Sequence, residues 1–152
     1  MRTVLTILGV GLLVWFSTNV FAGSSISGAK DGVAIQGYDP VAYFTQKTAV
    51  RGSAPHSYEW AGTAWFVSSA DHRDLFAAEP TKYAPQYGGH CALSVANGKT
   101  ARGSGEAWTI YKQKLYLFGN KEVQSRWEKD MAGNILRADR EWPQLKARLE
   151  AE

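Results

Sequence analysis

The chain has 152 residues and a formal charge of +3 at pH 7, with 17 basic residues scattered among 14 acidic ones. No run of lysines or arginines appears, which argues against a nucleic-acid-binding protein. A single cysteine excludes an intramolecular disulfide, so packing must hold a domain of this size, and six tryptophans and seven tyrosines supply large apolar surfaces for it.

Residues 1–22 have the pattern of a signal peptide. Arg2 is the only charged residue before Lys30, and the densest apolar stretch runs from Val4 to Phe16. That stretch is shorter than the roughly 20 apolar residues a membrane span needs, and it suits a signal-peptide core. We therefore expect a periplasmic or secreted protein with no stable membrane span after cleavage. A retained N-terminal anchor is the alternative.

The first elements of the exported chain are short. Residues 23–30 are expected to be a flexible leader, and residues 31–149 to form the domain. The apolar residues Val33 to Ile35 predict a brief strand. Asp39 is expected to cap a helix, with Pro40 at the first helical position, where its missing N–H has no cost.

Two hairpins and a helix follow. The stretch "HSYEWAGTAWFV" predicts two aromatic-rich strands that turn at Ala61-Gly62. The stretch "SSADHRDLFAAEP" predicts a helix with serine caps that stops before Pro80. The stretch "AWTIYKQKLYLF" predicts a second hairpin that turns between residues 112 and 114.

From Asn120 onwards, apolar residues recur every three or four positions. This periodicity predicts a C-terminal helical segment, with breaks near Gly133 and around Trp142-Pro143. Strands in local hairpins mixed with short helices indicate a small single α+β domain.

The ordered blocks from Asp31 to Leu145 resemble an exported YHS-domain protein. They read "GYDPVAYF", "HSYEWAGTAWFVSSADHRDLFAAEPTKYAPQYGGHCA", "EAWTIYKQKLYLF" and "ADREWPQL". The resemblance implies that His56 and Ser69 stand at the family's histidine and serine, and that Trp65 stands at an aromatic position. Shorter family members are suspected of binding metal through cysteines.

This chain departs from those shorter members at the thiol positions. Ala42, Ser68 and His72 stand where they have cysteines, so a thiolate-rich site for zinc or copper(I) cannot be built from one chain. The block from Tyr87 to Ala92, Tyr-Gly-Gly-x-Cys-Ala, is similar to a longer branch of the family. Some members of that branch resemble selenoproteins at the cysteine position.

Cys91 is the candidate reactive group. Gly88-Gly89 lets the backbone approach a ligand or partner closely, and "CALSVANG" predicts a short helix that ends at Asn97-Gly98. Cys91 would lie in its first turn, where the helix dipole and free N–H groups favour a thiolate. The alternative is a buried cysteine that acts as a small hydrophobic residue.

Other titratable residues have ordinary structural explanations beside the functional ones. His56 is expected to be either a hydrogen-bonded structural residue or a metal ligand. His72, between Asp71 and Arg73, is expected to be solvated. Asp39 is expected to be a helix cap. The sequence shows no Ser-His-Asp order, phosphate loop or CxxC motif, so enzymatic activity is not expected.

Three functional hypotheses remain open. The leading one is a binding module that holds copper or zinc through Cys91 with His90 or His56, in a site of two or three ligands, since thiolate and imidazole suit these metals. The second is a thiol redox protein in which Cys91 is the catalytic group and the partner protein is external. The third is a noncatalytic partner-binding domain in which the glycine block is only a tight turn.

We predict that the mature protein begins at Gly23. The reason is the uncharged run before Lys30 and the small or modest residues at Val20 and Ala22. These two positions lie three residues and one residue before the expected signal-peptidase cut. Intact mass spectrometry of the secreted or periplasmic fraction checks this prediction. An unprocessed chain from Met1 to Glu152 would contradict it.

Overall fold

The structure is a computed structural model that describes residues 23–152, so the predicted signal peptide at 1–22 lies outside the described residues. Within the described part, six α-helices and two antiparallel two-stranded sheets form the predicted α+β fold. No helix in that part is both long and apolar enough to cross a bilayer. The helices are α1 Ala42–Thr45, α2 Ala70–Ala78, α3 Pro80–Tyr83, α4 Ala92–Ala96, α5 Lys121–Glu128 and α6 Met131–Ala151. The strands are β1 Ser53–Trp60, β2 Thr63–Val67, β3 Ser104–Tyr111 and β4 Lys114–Phe118.

Both predicted hairpins are confirmed, with the predicted turns. Strands β1 and β2 join through Ala61 and Gly62, whose φ angles are 51° and 72°. Strands β3 and β4 join through Lys112 and Gln113, whose φ angles are 48° and 64°. Two successive left-handed residues match the twist of the flanking strands, which is why two-residue turns of this kind are favoured in hairpins.

The predicted strand at Val33 to Ile35 is wrong. Ile35 and Gln36 have φ angles of 44° and 55°, in the left-handed region, and lie in a 3₁₀ turn at Ala34–Gly37. Val33 alone keeps a β-bridge, to Ala64. Ile35 is fully buried, so packing in the core offsets a backbone conformation that a β-branched residue adopts rarely.

The C-terminal helical segment is confirmed, but its breaks fall elsewhere. The chain breaks at Lys129 and Asp130, because the Asp130 side chain accepts a hydrogen bond from the Gly133 backbone N–H and starts α6 there. Gly133 therefore lies in the first turn of α6, where a capping carboxylate comes too close to leave room for a side chain. Pro143 does not break α6, which continues through it to Ala151.

Residues 23–30 are not a flexible leader, because several of them pack on the rest of the chain. Ser25, Ile26 and Ser27 are buried, and the Ser27 N–H donates to the Gly88 carbonyl at 2.8 Å. The Ser25 hydroxyl donates to the Glu150 carboxylate at 3.0 Å. This N-terminal segment thereby joins the glycine block to the end of α6.

The buried apolar residues form two clusters. The first lies around the β1–β2 hairpin and includes Trp65, Phe76 and Tyr43, all fully buried. The second lies between β4 and helices α4 to α6 and includes Trp127 and Phe118. The glycine block at residues 87–89 connects the two, because Tyr87 belongs to the second cluster while a side chain at Gly89 would meet Ile35 of the first.

Candidate functional site

Cys91 is buried in the second apolar cluster and is not at an exposed helix start. It immediately precedes α4, and its side chain is 2% exposed. Its backbone N–H donates to the Ala101 carbonyl at 2.8 Å, and Ala92, Val95 and Tyr116 belong to the same cluster. This environment is that of a cysteine used as a small hydrophobic residue.

His90 links the N-terminal segment to α6. Its Nε2 lies 3.2 Å from the Ser25 carbonyl oxygen, and its ring lies 6.1 Å from that of Trp142. Burial lowers the pKa of His90, and the hydrogen bond to Ser25 opposes that effect. The imidazole is therefore neutral near pH 7 and donates to the Ser25 carbonyl.

His56 lies in a different part of the fold. It is half-buried on β1, in the irregular stretch where the strand pairing shifts between Ser53 and Ser57. Among residues 23–152, no group of three or more His, Cys, Asp or Glu side chains is placed to hold one metal ion. Cys91, His90 and His56 are thus not assembled into a three-ligand site.

The double glycine has a packing explanation. Tyr87, Gly88 and Gly89 have φ angles of 57°, 61° and 80°, three left-handed residues in succession. A side chain at Gly88 would overlap the carbonyl oxygen of Ser25, and one at Gly89 would overlap the Ile35 side chain. Glycine is needed here because the N-terminal segment and the first cluster both approach the backbone closely.

Sequence reasoning missed the most connected polar group of the structure, a buried pair of Asp39 and His72. Asp39 is fully buried, and its Oδ2 lies 2.6 Å from His72 Nδ1. The expectation that His72 is solvated is wrong, because this residue is only 9% exposed. No local pattern in the sequence signals this pair, because Asp39 and His72 are 33 residues apart in the chain.

Asp39 accepts five hydrogen bonds in all. Oδ1 accepts from the N–H groups of Val41 and Ala42 at 2.8 and 3.2 Å, so Asp39 binds the start of α1 as expected of a capping side chain, although the helix begins at Ala42 and not at Pro40. Oδ2 accepts from the backbone N–H of Ser68 at 2.8 Å and from its hydroxyl at 2.6 Å, in addition to His72. One carboxylate therefore joins the start of α1 to the β2–α2 junction.

The far side of His72 faces a hydroxyl. Its Nε2 lies 3.2 Å from Thr45 Oγ1, so carboxylate, imidazole and hydroxyl follow one another as in a nucleophilic triad. The Thr45 hydroxyl, however, donates to the Val41 carbonyl within α1 at 3.2 Å. Neither Thr45 nor His72 lines any of the four main clefts in the described part of the chain. The contacts of this group are those of a structural tie.

The largest of these clefts has a volume of about 680 Å³ and lies beside the glycine block. We call it the aromatic cleft, because the rings of Trp60, Tyr87 and Trp142 line it. The remaining lining comes from four stretches of chain: residues 23–26, the β1–β2 turn, residues 81–88 and the α6 side chains Lys146 and Glu150.

The charged groups of the aromatic cleft are already paired. Lys146 and Glu150 form an ion pair one helical turn apart, and Ser25 also donates to Glu150. These hydrogen bonds hold the pKa of Glu150 below its usual range. The Tyr87 hydroxyl donates to Asp139 at 2.8 Å, and its ring packs against Trp142 with centroids 5.9 Å apart. The cleft thus presents aromatic surface with little uncompensated charge.

Comparisons with protein-family models, curated proteins and solved structures give no match. The resemblance to YHS-domain proteins stays a prediction, and function has to be argued from the geometry of this chain.

Asp39→Ala should lower the free energy of unfolding by about 3–5 kcal/mol, because it leaves a buried histidine and several N–H groups without their acceptor. Urea unfolding followed by tryptophan fluorescence measures the loss. The matched control is Asp74→Ala, whose carboxylate is 79% exposed and should matter by less than about 0.5 kcal/mol. A similar small loss for both variants would contradict the structural tie.

Native Cys91 should resist iodoacetamide and react only after unfolding, because its sulfur is buried among apolar side chains. Mass spectrometry at successive urea concentrations follows the alkylation. The control is Asn97→Cys in a Cys91→Ala background, which places a thiol at the exposed C-terminal end of the same helix and should react at once. Equally rapid alkylation of native Cys91 would show that the thiol is accessible.

Proposed function

We propose that this chain is a noncatalytic binding module and that its site is the aromatic cleft. One observation carries the proposal: Tyr87 and Gly88 line the largest of the four clefts, whereas Cys91, three residues after Gly88, is 2% exposed. The block that the sequence singles out therefore contributes a surface and a tight turn. The proposal keeps the third hypothesis from the sequence, a noncatalytic partner-binding domain, and adds the location of the binding site.

The lining of the cleft indicates the class of ligand. Trp60 and Trp142 offer indole rings, and Ser24, Gln86 and Thr81 offer hydrogen-bonding groups beside them. Since Lys146 and Glu150 neutralise each other, a charged ligand would have no unpaired partner in the cleft. We assign the site to small uncharged ring compounds that stack on indole and carry polar groups at their edge.

The metal and redox hypotheses have less support in the geometry. The three-ligand form of a copper or zinc site at Cys91, His90 and His56 would need groups that are not assembled in one place in the described residues. A redox exchange at Cys91 would need a partner thiol to reach a buried sulfur. Metal analysis of the protein after anaerobic purification tests the first, and the alkylation experiment tests the second.

Titration with indole or with methyl β-glucoside should shift the indole N–H signals of Trp60 and Trp142 in nitrogen–proton correlation spectra. The signal of Trp127, which is fully buried in the second cluster, should stay in place. Thr81→Trp should weaken binding at least tenfold, because Thr81 is exposed and lines the cleft, so that a large side chain there fills it.

The matched control is Thr48→Trp, which adds the same side chain at an exposed position outside the cleft and should bind the probes like the unmodified protein. Equal binding by the Thr81→Trp and Thr48→Trp variants, or shifts that include Trp127 to the same extent, would overturn the proposal. Both variants keep every native core side chain, so failure to fold is not a concern in the comparison.

A further inference from the structure

A second cleft, separate from the aromatic cleft, contains two arginines. It has a volume of about 430 Å³ and lies between the 3₁₀ turn at Ala34–Gly37, Arg51 just before β1, and the start of β3. We call it the arginine cleft. Its lining consists of Gln36, Tyr38, Arg51, Arg102, Gly103, Ser104, Gly105 and Gly119.

Arg51 is held in place without a carboxylate partner. Its guanidinium lies 4.1 Å above the centre of the Tyr38 ring, and its Nη1 donates to the Gln36 carbonyl at 2.6 Å. Among the described residues, no Asp or Glu forms an ion pair with Arg51. A flat, oriented guanidinium with free N–H donors is the group that binds carboxylate or phosphate in two-pronged fashion.

The other groups of the arginine cleft are mostly donors. Arg102 lines it and pairs with Asp31 at 2.6 Å through one nitrogen, in a bridge whose two side chains are more than 60% exposed. The side-chain nitrogen of Gln36 is buried and has no hydrogen-bond partner in the described part of the chain. An unpaired buried amide donor has a free-energy cost, and because this nitrogen has almost no exposed surface, an acceptor atom in the cleft would bind it only after the Gln36 side chain turns toward the cleft.

The nearby acid is also engaged. Glu106 accepts from the Tyr38 hydroxyl at 2.7 Å, on the edge of the ring that Arg51 covers. That hydrogen bond is the main reason why the pKa of Tyr38 is raised, so the Tyr38 hydroxyl keeps its proton and donates a hydrogen bond to Glu106. Neither carboxylate next to the cleft forms an ion pair with Arg51: Asp31 pairs with Arg102, and Glu106 accepts from the neutral Tyr38 hydroxyl and keeps its own charge.

We infer that the arginine cleft binds the oxyanion of a small molecule, a carboxylate or a phosphate group, with Arg51 as the main contact. Arg102 adds a second positive charge, and the Gln36 amide adds a neutral donor. The glycines at 103, 105 and 119 leave the neighbouring backbone free of side chains. The cleft is larger than a phosphate ion, so the anionic group would be carried on a larger molecule.

The test uses inorganic phosphate and acetate as probes of the two kinds of anion, with chloride at equal ionic strength as the reference. Proton–nitrogen correlation spectra of residues 23–152 should show saturable shifts at Arg51 Nε–H and at the Gln36 side-chain amide. Arg51→Gln should raise the dissociation constant at least tenfold, and Arg102→Gln by about threefold, because Asp31 already engages Arg102.

Two further variants distinguish binding at the arginine cleft from a general effect of the protein's positive charges. Arg126→Gln removes an exposed arginine of α5 that also has no carboxylate partner in the described part, and should leave binding unchanged. Arg51→Lys keeps the charge and loses the planar fork, so it should still weaken binding severalfold. If Arg51→Gln proves unstable, the Arg51→Lys variant replaces it in the comparison, with its folding checked by far-UV circular dichroism.

The inference fails if Arg51→Gln and Arg126→Gln weaken binding equally, or if Arg51→Lys binds like the unmodified protein. It also fails if chloride at equal ionic strength produces the same shifts as the probes. Preference for phosphate or for acetate identifies the kind of oxyanion. The outcome is independent of the aromatic cleft, because the two clefts share no lining residue.

Discussion

The carboxylate of Asp39 is the constraint on which the first half of the fold depends. A fully buried charge is tolerated only where hydrogen bonds replace its hydration, and here five donors from two separate stretches of chain do so. The same carboxylate therefore fixes where α1 begins and where β2 ends. Trp65 and Phe76 then pack against each other on the frame that this tie sets, with ring centroids 5.2 Å apart.

The parts of the fold that the sequence predicts are those with a local physical cause. The turn at Ala61-Gly62, the serine cap of α2 and the glycine after α4 each follow from residues adjacent in the chain. Asp39 was predicted as a cap for the same reason, since its contacts with Val41 and Ala42 span only a few residues.

The features that could not be predicted depend on distant contacts. Nothing near His72 in the chain indicates that Asp39, 33 residues earlier, lies against it. The left-handed Ile35 is set by burial in the first cluster, against its intrinsic preference. The sequence predicts a break near Gly133. The helix boundary is instead set by Asp130, which caps the start of α6 three positions earlier.

The same distinction applies to the candidate site. The sequence singles out the glycine block correctly as a place of close backbone approach, and the group that approaches it is Ser25 of the N-terminal segment. The aromatic cleft needs Trp60 and Trp142, and the arginine cleft needs Arg51 and Arg102, and each pair is far apart in the chain. The spacing of these residues along the sequence predicts neither pairing.

The contact between the N-terminal segment and α6 brings the two ends of the described chain side by side. Lys30 pairs with Glu152 at 2.6 Å, and Gly23 packs directly on the Leu149 carbonyl. A short linker from Glu152 to Gly23 could therefore close residues 23–152 into a ring, and new termini could be opened at the exposed Lys112-Gln113 turn. In such a circular permutant the stretch beside the aromatic cleft would be continuous chain. Fusion partners would then be attached at the β3–β4 turn.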